Sequence, residues 1–133
     1  MSYIDSQTLG IYPYHTARWC GATGAYLNLS PGAGLTRTDI KTGVRSVWRY
    51  ASAIAVDAHQ AVSLGEGGTP MLERAWHDVP VRFKLEFMMP TGSFKDRGMT
   101  VMVSYLKSCG IAQVLEDSSG NAGASLAAYA AAA

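Results

Sequence analysis

Residues 93–133 read SFKDRGMTVMVSYLKSCGIAQVLEDSSGNAGASLAAYAAAA, and the order of patterns within them sets the fold class. From Ser93 to Ser108, Met99, Met102, Val103 and Leu106 recur at spacings of three and four, which predicts an amphipathic helix. Ser93 is the candidate N-cap, Asp96 sits in the first turn where the helix dipole favours a carboxylate, and Gly110 marks the C-terminal stop. Ala112–Glu116 is short and apolar and reads as a strand. Asp117–Gly123 is a small-residue loop, and Ser125–Ala133 is an alanine-rich helix. Upstream, Val81-Arg82-Phe83-Lys84-Leu85-Glu86-Phe87 alternates apolar with charged residues, as a half-buried strand does, and Pro90–Gly92 ends it. Strand, helix, strand, loop and helix make one parallel βαβ crossover and the start of another. The expected class is therefore α/β, the beginning of a doubly wound parallel sheet. Two strands cannot bury both faces of such a sheet, so the fold is expected to be incomplete within these residues.

Further upstream the texture changes. Ser63–Pro70 (SLGEGGTP) is a glycine-rich turn. Ser46–His59 predicts a helix with Val47, Tyr50, Ala51, Ile54 and Ala58 on one stripe. Before Arg45, recurrent glycines and Pro13 and Pro31 leave no room for a long regular element. Residues 1–44 are expected to form an irregular or β-rich extension that must lean on something else.

Composition narrows the function. The chain has 133 residues, 48% hydrophobic and 16% charged, enough apolar material for a core and too ordered a pattern for a disordered tail. A net charge of +1 with no basic cluster argues against nucleic acid as a partner. No apolar run reaches the ~20 residues that span a bilayer, and MSYIDSQTLG lacks the layout of a secretory signal. Cys20 and Cys109 form no spaced set, so reduced thiols and a cytoplasmic setting are expected. His15, His59 and His77 are isolated, and no metal site is expected. GEGGTP is neither a P-loop nor a dinucleotide fingerprint, because Pro70 stands where the third glycine would be.

Two segments carry chemistry. Lys95 falls in the first turn of a predicted helix after the Thr91-Gly92 turn. There the unsatisfied N–H groups and the dipole disfavour an ammonium and favour the neutral amine that attacks a carbonyl. Asp117–Gly123 leads from a predicted strand end to a helix start, where backbone N–H groups hold a carboxylate or phosphate.

Three motifs in this order, Ser63–Pro70, Pro90–Met99 with Lys84-Leu85-Glu86 before it, and Ser118–Gly123, resemble the threonine synthase family. Its members are fold type II pyridoxal-phosphate enzymes of the tryptophan-synthase-β kind. The resemblance covers residues 45–133. It implies pyridoxal 5'-phosphate as cofactor, with Lys95 as the Schiff-base lysine and acid/base, and Asn121 on the cofactor's ring hydroxyl. It implies that Ser118, Ser119, Gly120 and Asn121 take the carboxylate of an amino-acid substrate. The implied reaction removes phosphate from O-phosphohomoserine and adds water to give threonine. Phe-Lys-Asp-Arg-Gly favours threonine synthase over the serine and threonine dehydratases, which stand with other β/γ-replacement enzymes as the alternative. Members are several hundred residues long and the full-length form is expected to be a homo-oligomer. This chain is expected to be an N-terminal portion, inactive in isolation, with a non-catalytic, partner-docking fragment as the other alternative. Relatives with a cysteine-rich zinc ribbon differ at Arg18–Gly24, which keeps only Cys20.

Overall fold

The computed structural model describes residues 1–133. Helix α1 (Asp96–Ser108) turns Val103 and Leu106 into the core with Thr100 and Ser104, while Met99 lies against it and Met102 stays on the rim. Its end follows from Gly110, whose φ of +75° is open to glycine at little cost. The Gly110 N–H donates to the Lys107 carbonyl at 2.9 Å and the Ile111 N–H to the Leu106 carbonyl at 3.0 Å, which satisfies two orphan carbonyls in a Schellman arrangement. The start lies later than the sequence predicts. The Ser93 hydroxyl accepts from the Lys95 N–H at 3.3 Å, so it closes a turn just ahead of the helix.

Helix α2 spans Asn121–Ala132 and begins four residues before the predicted Ser125, so the expected loop shrinks to residues 117–120. Ser125, Leu126 and Tyr129 form its buried stripe. Val62, Val103, Leu126 and Tyr129 make the core cluster. The Ser125 hydroxyl donates to Asp96 at 2.5 Å near the start of both helices, and Lys107 Nζ donates to the Ala133 carbonyl at 2.6 Å near the end of both. The two helices therefore run parallel. A helix of 13 residues is about 20 Å long, and the connection must cover that distance backwards, which takes roughly six extended residues. Residues 112–117 fill that span.

That return segment corrects the predicted strand at Ala112–Glu116. No other strand lies beside it, none of its N–H groups donates to another backbone carbonyl, and Leu115 is 97% exposed. Strand character needs a partner ladder as well as an apolar run. With it goes the predicted parallel crossover: every strand pair here is antiparallel.

Strand β5 (Val79–Lys84) is formed, but as half of a hairpin with β4 (Met71–Trp76), in register from Met71 opposite Lys84 to Trp76 opposite Val79. His77 and Asp78, with φ of +47° and +62°, make the two-residue turn. The hairpin is exposed on both faces except at Val81, so the predicted half-burial is absent. The strand also stops three residues early. Leu85 leaves the extended region and Glu86–Met88 form a 3-10 turn that swings Glu86 toward α1.

The predicted helix at Ser46–His59 is replaced by 3-10 turns at Val47–Ala53, kinked at Tyr50, and at Ala58–Gln60. Ser46 and Asp57 each cap a short turn with a side-chain oxygen, which competes with a continuous helix. Trp48 then points inward in place of the expected stripe, donating from its indole to the Thr100 hydroxyl at 2.7 Å.

The first residues form an antiparallel sheet in the order β2 (Ile11–Pro13), β1 (Ser2–Asp5), β3 (Leu27–Leu29). It docks on α1 through tyrosines. The Tyr3 hydroxyl donates to that of Tyr105 at 2.6 Å, Tyr105 donates to the Tyr14 carbonyl at 2.8 Å, and the Tyr14 and Tyr105 rings lie 4.9 Å apart. No helix is long and apolar enough to cross a membrane.

Candidate functional site

Parallel packing puts two helix N-termini at one end of the molecule. Lys95 precedes the first residue of α1, and Ser118–Asn121 lead into α2. Together Lys95, Glu116, Asp117, Ser118, Ser119, Gly120, Asn121 and Ala122 line one open cleft of about 530 Å³. Lys95 and the predicted loop residues Ser118–Asn121, 23 or more positions from it in sequence, are thus neighbours in space.

Within the cleft, Lys95 is half-buried and its Nζ lies 4.7 Å from the centre of the Phe94 ring. It forms no hydrogen bond and no ion pair. Ser118 folds its hydroxyl onto the Gly120 N–H at 3.1 Å, which shapes the turn, and the Ala124 N–H donates to the Gly120 carbonyl at 3.1 Å as the first helical bond. The N–H groups of Asn121, Ala122 and Gly123 have no acceptor within the chain, as at any helix start. The side chains of Ser119 and Asn121 are exposed and unpaired. A free primary amine facing unpaired amide donors and hydroxyls fits the aldehyde of pyridoxal phosphate on one side and a carboxylate on the other.

Around the cleft, three carboxyl groups bind the motifs to each other, and none of these contacts was legible in the sequence. Asp96 is completely buried. It accepts from the Thr91 N–H at 2.8 Å, from the Thr91 hydroxyl and from the Ser125 hydroxyl. Glu66 of the glycine-rich segment is also completely buried, accepting from the Ser63 hydroxyl, the Leu64 N–H at 3.0 Å and the Tyr129 hydroxyl at 2.8 Å. Burial, and then this bond to Glu66, push the Tyr129 phenol up from its ordinary value. Glu86 receives both Arg97 Nε at 2.7 Å and its terminal nitrogen at 2.9 Å, with the Thr69 hydroxyl at 2.6 Å. The Arg97 hydrogen bonds hold its carboxyl down to about 2, against the opposing effect of burial. Lys84 Nζ donates to the Thr69 carbonyl. Segment 63–70 is thereby tied to both helices and is spent on structure, not on lining the cleft.

The signal for these residues was present but weak. A charged residue inside a run of small residues, such as Glu66 in LGEGG, has no solvated face to belong to and so needs a buried partner.

Residues 62–133 match the family described as pyridoxal-phosphate dependent enzyme. Among curated proteins, the chain is 42% identical over 95 residues to a threonine synthase of Methanosarcina acetivorans, covering 68% of this chain and 23% of that protein. It is 47% identical over 91 residues to one of Methanocaldococcus jannaschii, covering 64% and 22%. With a threonine synthase of Synechocystis the identity is 44% over 80 residues, covering 56% and 21%. The chain spans less than a quarter of the length of these relatives. No solved structure matches it.

Proposed function

Because the chain belongs to the family of pyridoxal-phosphate dependent enzymes, we propose that it carries the Schiff-base lysine and the substrate-carboxylate loop of a threonine synthase. The observation that supports this most is the shared cleft: the unpaired amine of Lys95 and the donors of residues 118–123 face one volume because α1 and α2 run parallel. When bound, pyridoxal phosphate supplies the electron sink for a carbanion beside the substrate amine. Lys95 is the residue that would hold the cofactor through its aldehyde. Its Nζ would also hold the proton exchanged at the substrate carbons. Asn121 would hydrogen-bond the cofactor's ring hydroxyl. Ser118, Ser119 and the open N–H groups at the start of α2 take the carboxylate of the amino-acid substrate. The reaction we propose is loss of phosphate from O-phosphohomoserine and addition of water to give threonine, in keeping with the name threonine synthase that the relatives above carry.

In this reading α1 and α2 open the doubly wound parallel-sheet fold of a cytoplasmic, homo-oligomeric enzyme. The cleft that these 133 residues line is open to solvent, so water is not excluded and turnover by the isolated chain is expected to be negligible. Reaction with pyridoxal 5'-phosphate and borohydride, followed by peptide mapping, tests the lysine: the label is expected on Lys95, and a label favouring Lys41, Lys84 or Lys107 would sink the assignment. For a protein of the relatives' length carrying this segment, turnover of O-phosphohomoserine but not of threonine or serine separates the synthase from a dehydratase.

A further inference from the structure

We infer that the buried Asp96–Ser125 hydrogen bond is a positioning device that sets the spacing between Lys95 and the Ser118–Asn121 loop; this rests on the reading of those residues as the site. Asp96 is completely buried, and no cation is paired with it. Three donors meet its two oxygens: the Thr91 N–H on one, and the Thr91 and Ser125 hydroxyls on the other. A carboxyl enclosed without a cation is a costly way to hold a turn, since apolar side chains fill such volume without the desolvation penalty.

Its location accounts for its presence. Asp96 is the residue after Lys95, and Ser125 is one helical turn beyond Asn121 on the same face of α2. Apart from Lys107 on the Ala133 carbonyl at the far end, the other contacts between the helices are apolar and lie further along, at Val103, Leu126 and Tyr129. Apolar contacts tolerate sliding and rotation, whereas a hydrogen bond is directional and fails over a few tenths of an ångström. At the end of the pair that bears the cleft, Asp96–Ser125 is the one side-chain hydrogen bond that joins the helices. Thr91 extends the link to the turn before Lys95, so the lysine and the loop are registered through a single carboxyl. Reacting groups need placement to about 0.5 Å, and this bond supplies it.

Ser125→Ala removes only the cross-helix bond, and Ser125→Thr retains the hydroxyl. Two measurements on the 133-residue chain decide the role. In the first, amide hydrogen exchange of Ala124 and residues 126–128, the first N–H groups of α2 that have helical acceptors, involves no cofactor and is expected to quicken roughly tenfold in Ser125→Ala and to return to within about twofold in Ser125→Thr. In the second, the share of borohydride-trapped pyridoxyl label on Lys95 relative to Lys41, Lys84 and Lys107 is expected to fall and recover in parallel. Unchanged exchange in Ser125→Ala overturns the link. Quickened exchange with unchanged label selectivity reduces the bond to a structural one and overturns the positioning role. A wild-type chain with no preference for Lys95 would instead defeat the site assignment, with the exchange arm still deciding whether the bond holds the two helix starts. If Ser125→Ala loses its cooperative melt, Ser125→Cys, similar in volume and weak in hydrogen bonding, replaces it in both arms.

Discussion

Tyr129→Phe deletes one oxygen from the centre of the molecule and leaves the ring that packs on Val62, Val103 and Leu126. The deleted hydroxyl donates at 2.8 Å to Glu66, so the bond lost is one to a carboxylate, a class worth about 1.5–3 kcal/mol. Glu66 keeps the Ser63 hydroxyl and the Leu64 N–H, and the substitution also removes the buried phenol's own need for a partner. Both facts hold the cost to the lower part of that range, about 1.5–2 kcal/mol. For a chain of this size 1 kcal/mol moves the melting temperature by roughly 3–5 °C, so a drop of about 5–10 °C is expected. Urea unfolding followed by tryptophan fluorescence reads it directly, because Trp48 is buried beside Thr100 while Trp19 and Trp76 are exposed. The midpoint is expected to fall with the slope unchanged, the signature of an altered native state rather than an altered unfolded one. A midpoint shift equivalent to less than about 0.5 kcal/mol would mean that the ring alone secures α2 to segment 63–70 and that the Glu66 bond contributes nothing net.

Acid titration addresses the ion pair at the start of α1. The Glu86 carboxyl is held at about 2, below its unfolded value, so its contribution is fully present above pH ~4.5 and is lost as pH falls through the folded value. Glu86→Gln is therefore expected to flatten the stability profile between pH ~4.5 and ~2, and an unaltered profile would contradict the assignment; partial exposure of the pair keeps the effect modest. Gly67→Ala is expected to cost roughly 2–4 kcal/mol, because φ is +117° and the new Cβ would stand 2.9 Å from the Val47 backbone nitrogen. Gly65→Ala, at φ +85° with open space around it, is expected to cost only about 1–2 kcal/mol, and equal melting temperatures for the two would refute the close approach.

Local information in the chain suffices for part of the fold. The stripe from Met99 to Leu106 and the glycine at 110 define α1 without outside help. Local information falls short where the deciding partner lies far away. Glu66 and Tyr129 are 63 positions apart, Trp48 and Thr100 are 52 apart, and nothing in either neighbourhood names the other. The hairpin at residues 71–84 was missed because its turn is His77-Asp78, which lacks the glycine that normally marks positive φ. Residues 112–116 were over-read for the opposite reason: an apolar run states a preference for a ladder without supplying one. Alternation over Val81–Phe87 assigned Glu86 to a solvated face, whereas Arg97 draws it out of the strand altogether.

The tyrosine contact between the first sheet and α1 also bears on the order in which the chain assembles. Tyr3 and Tyr105 are 102 residues apart, and a ribosome adding about 5–20 residues per second takes roughly 5–20 s to cover that distance. Within the sheet, β1 meets its partners by Leu29 and can pair almost as soon as it emerges. It then waits, with the Tyr3 and Tyr14 rings uncovered, until α1 has been made. Hairpin closure takes microseconds, so synthesis sets this interval and docking on Tyr105 is a late event. The same waiting sheet presents unpaired outer edges throughout, which makes the interval the one in which a neighbouring nascent chain competes most effectively for β2 and β3.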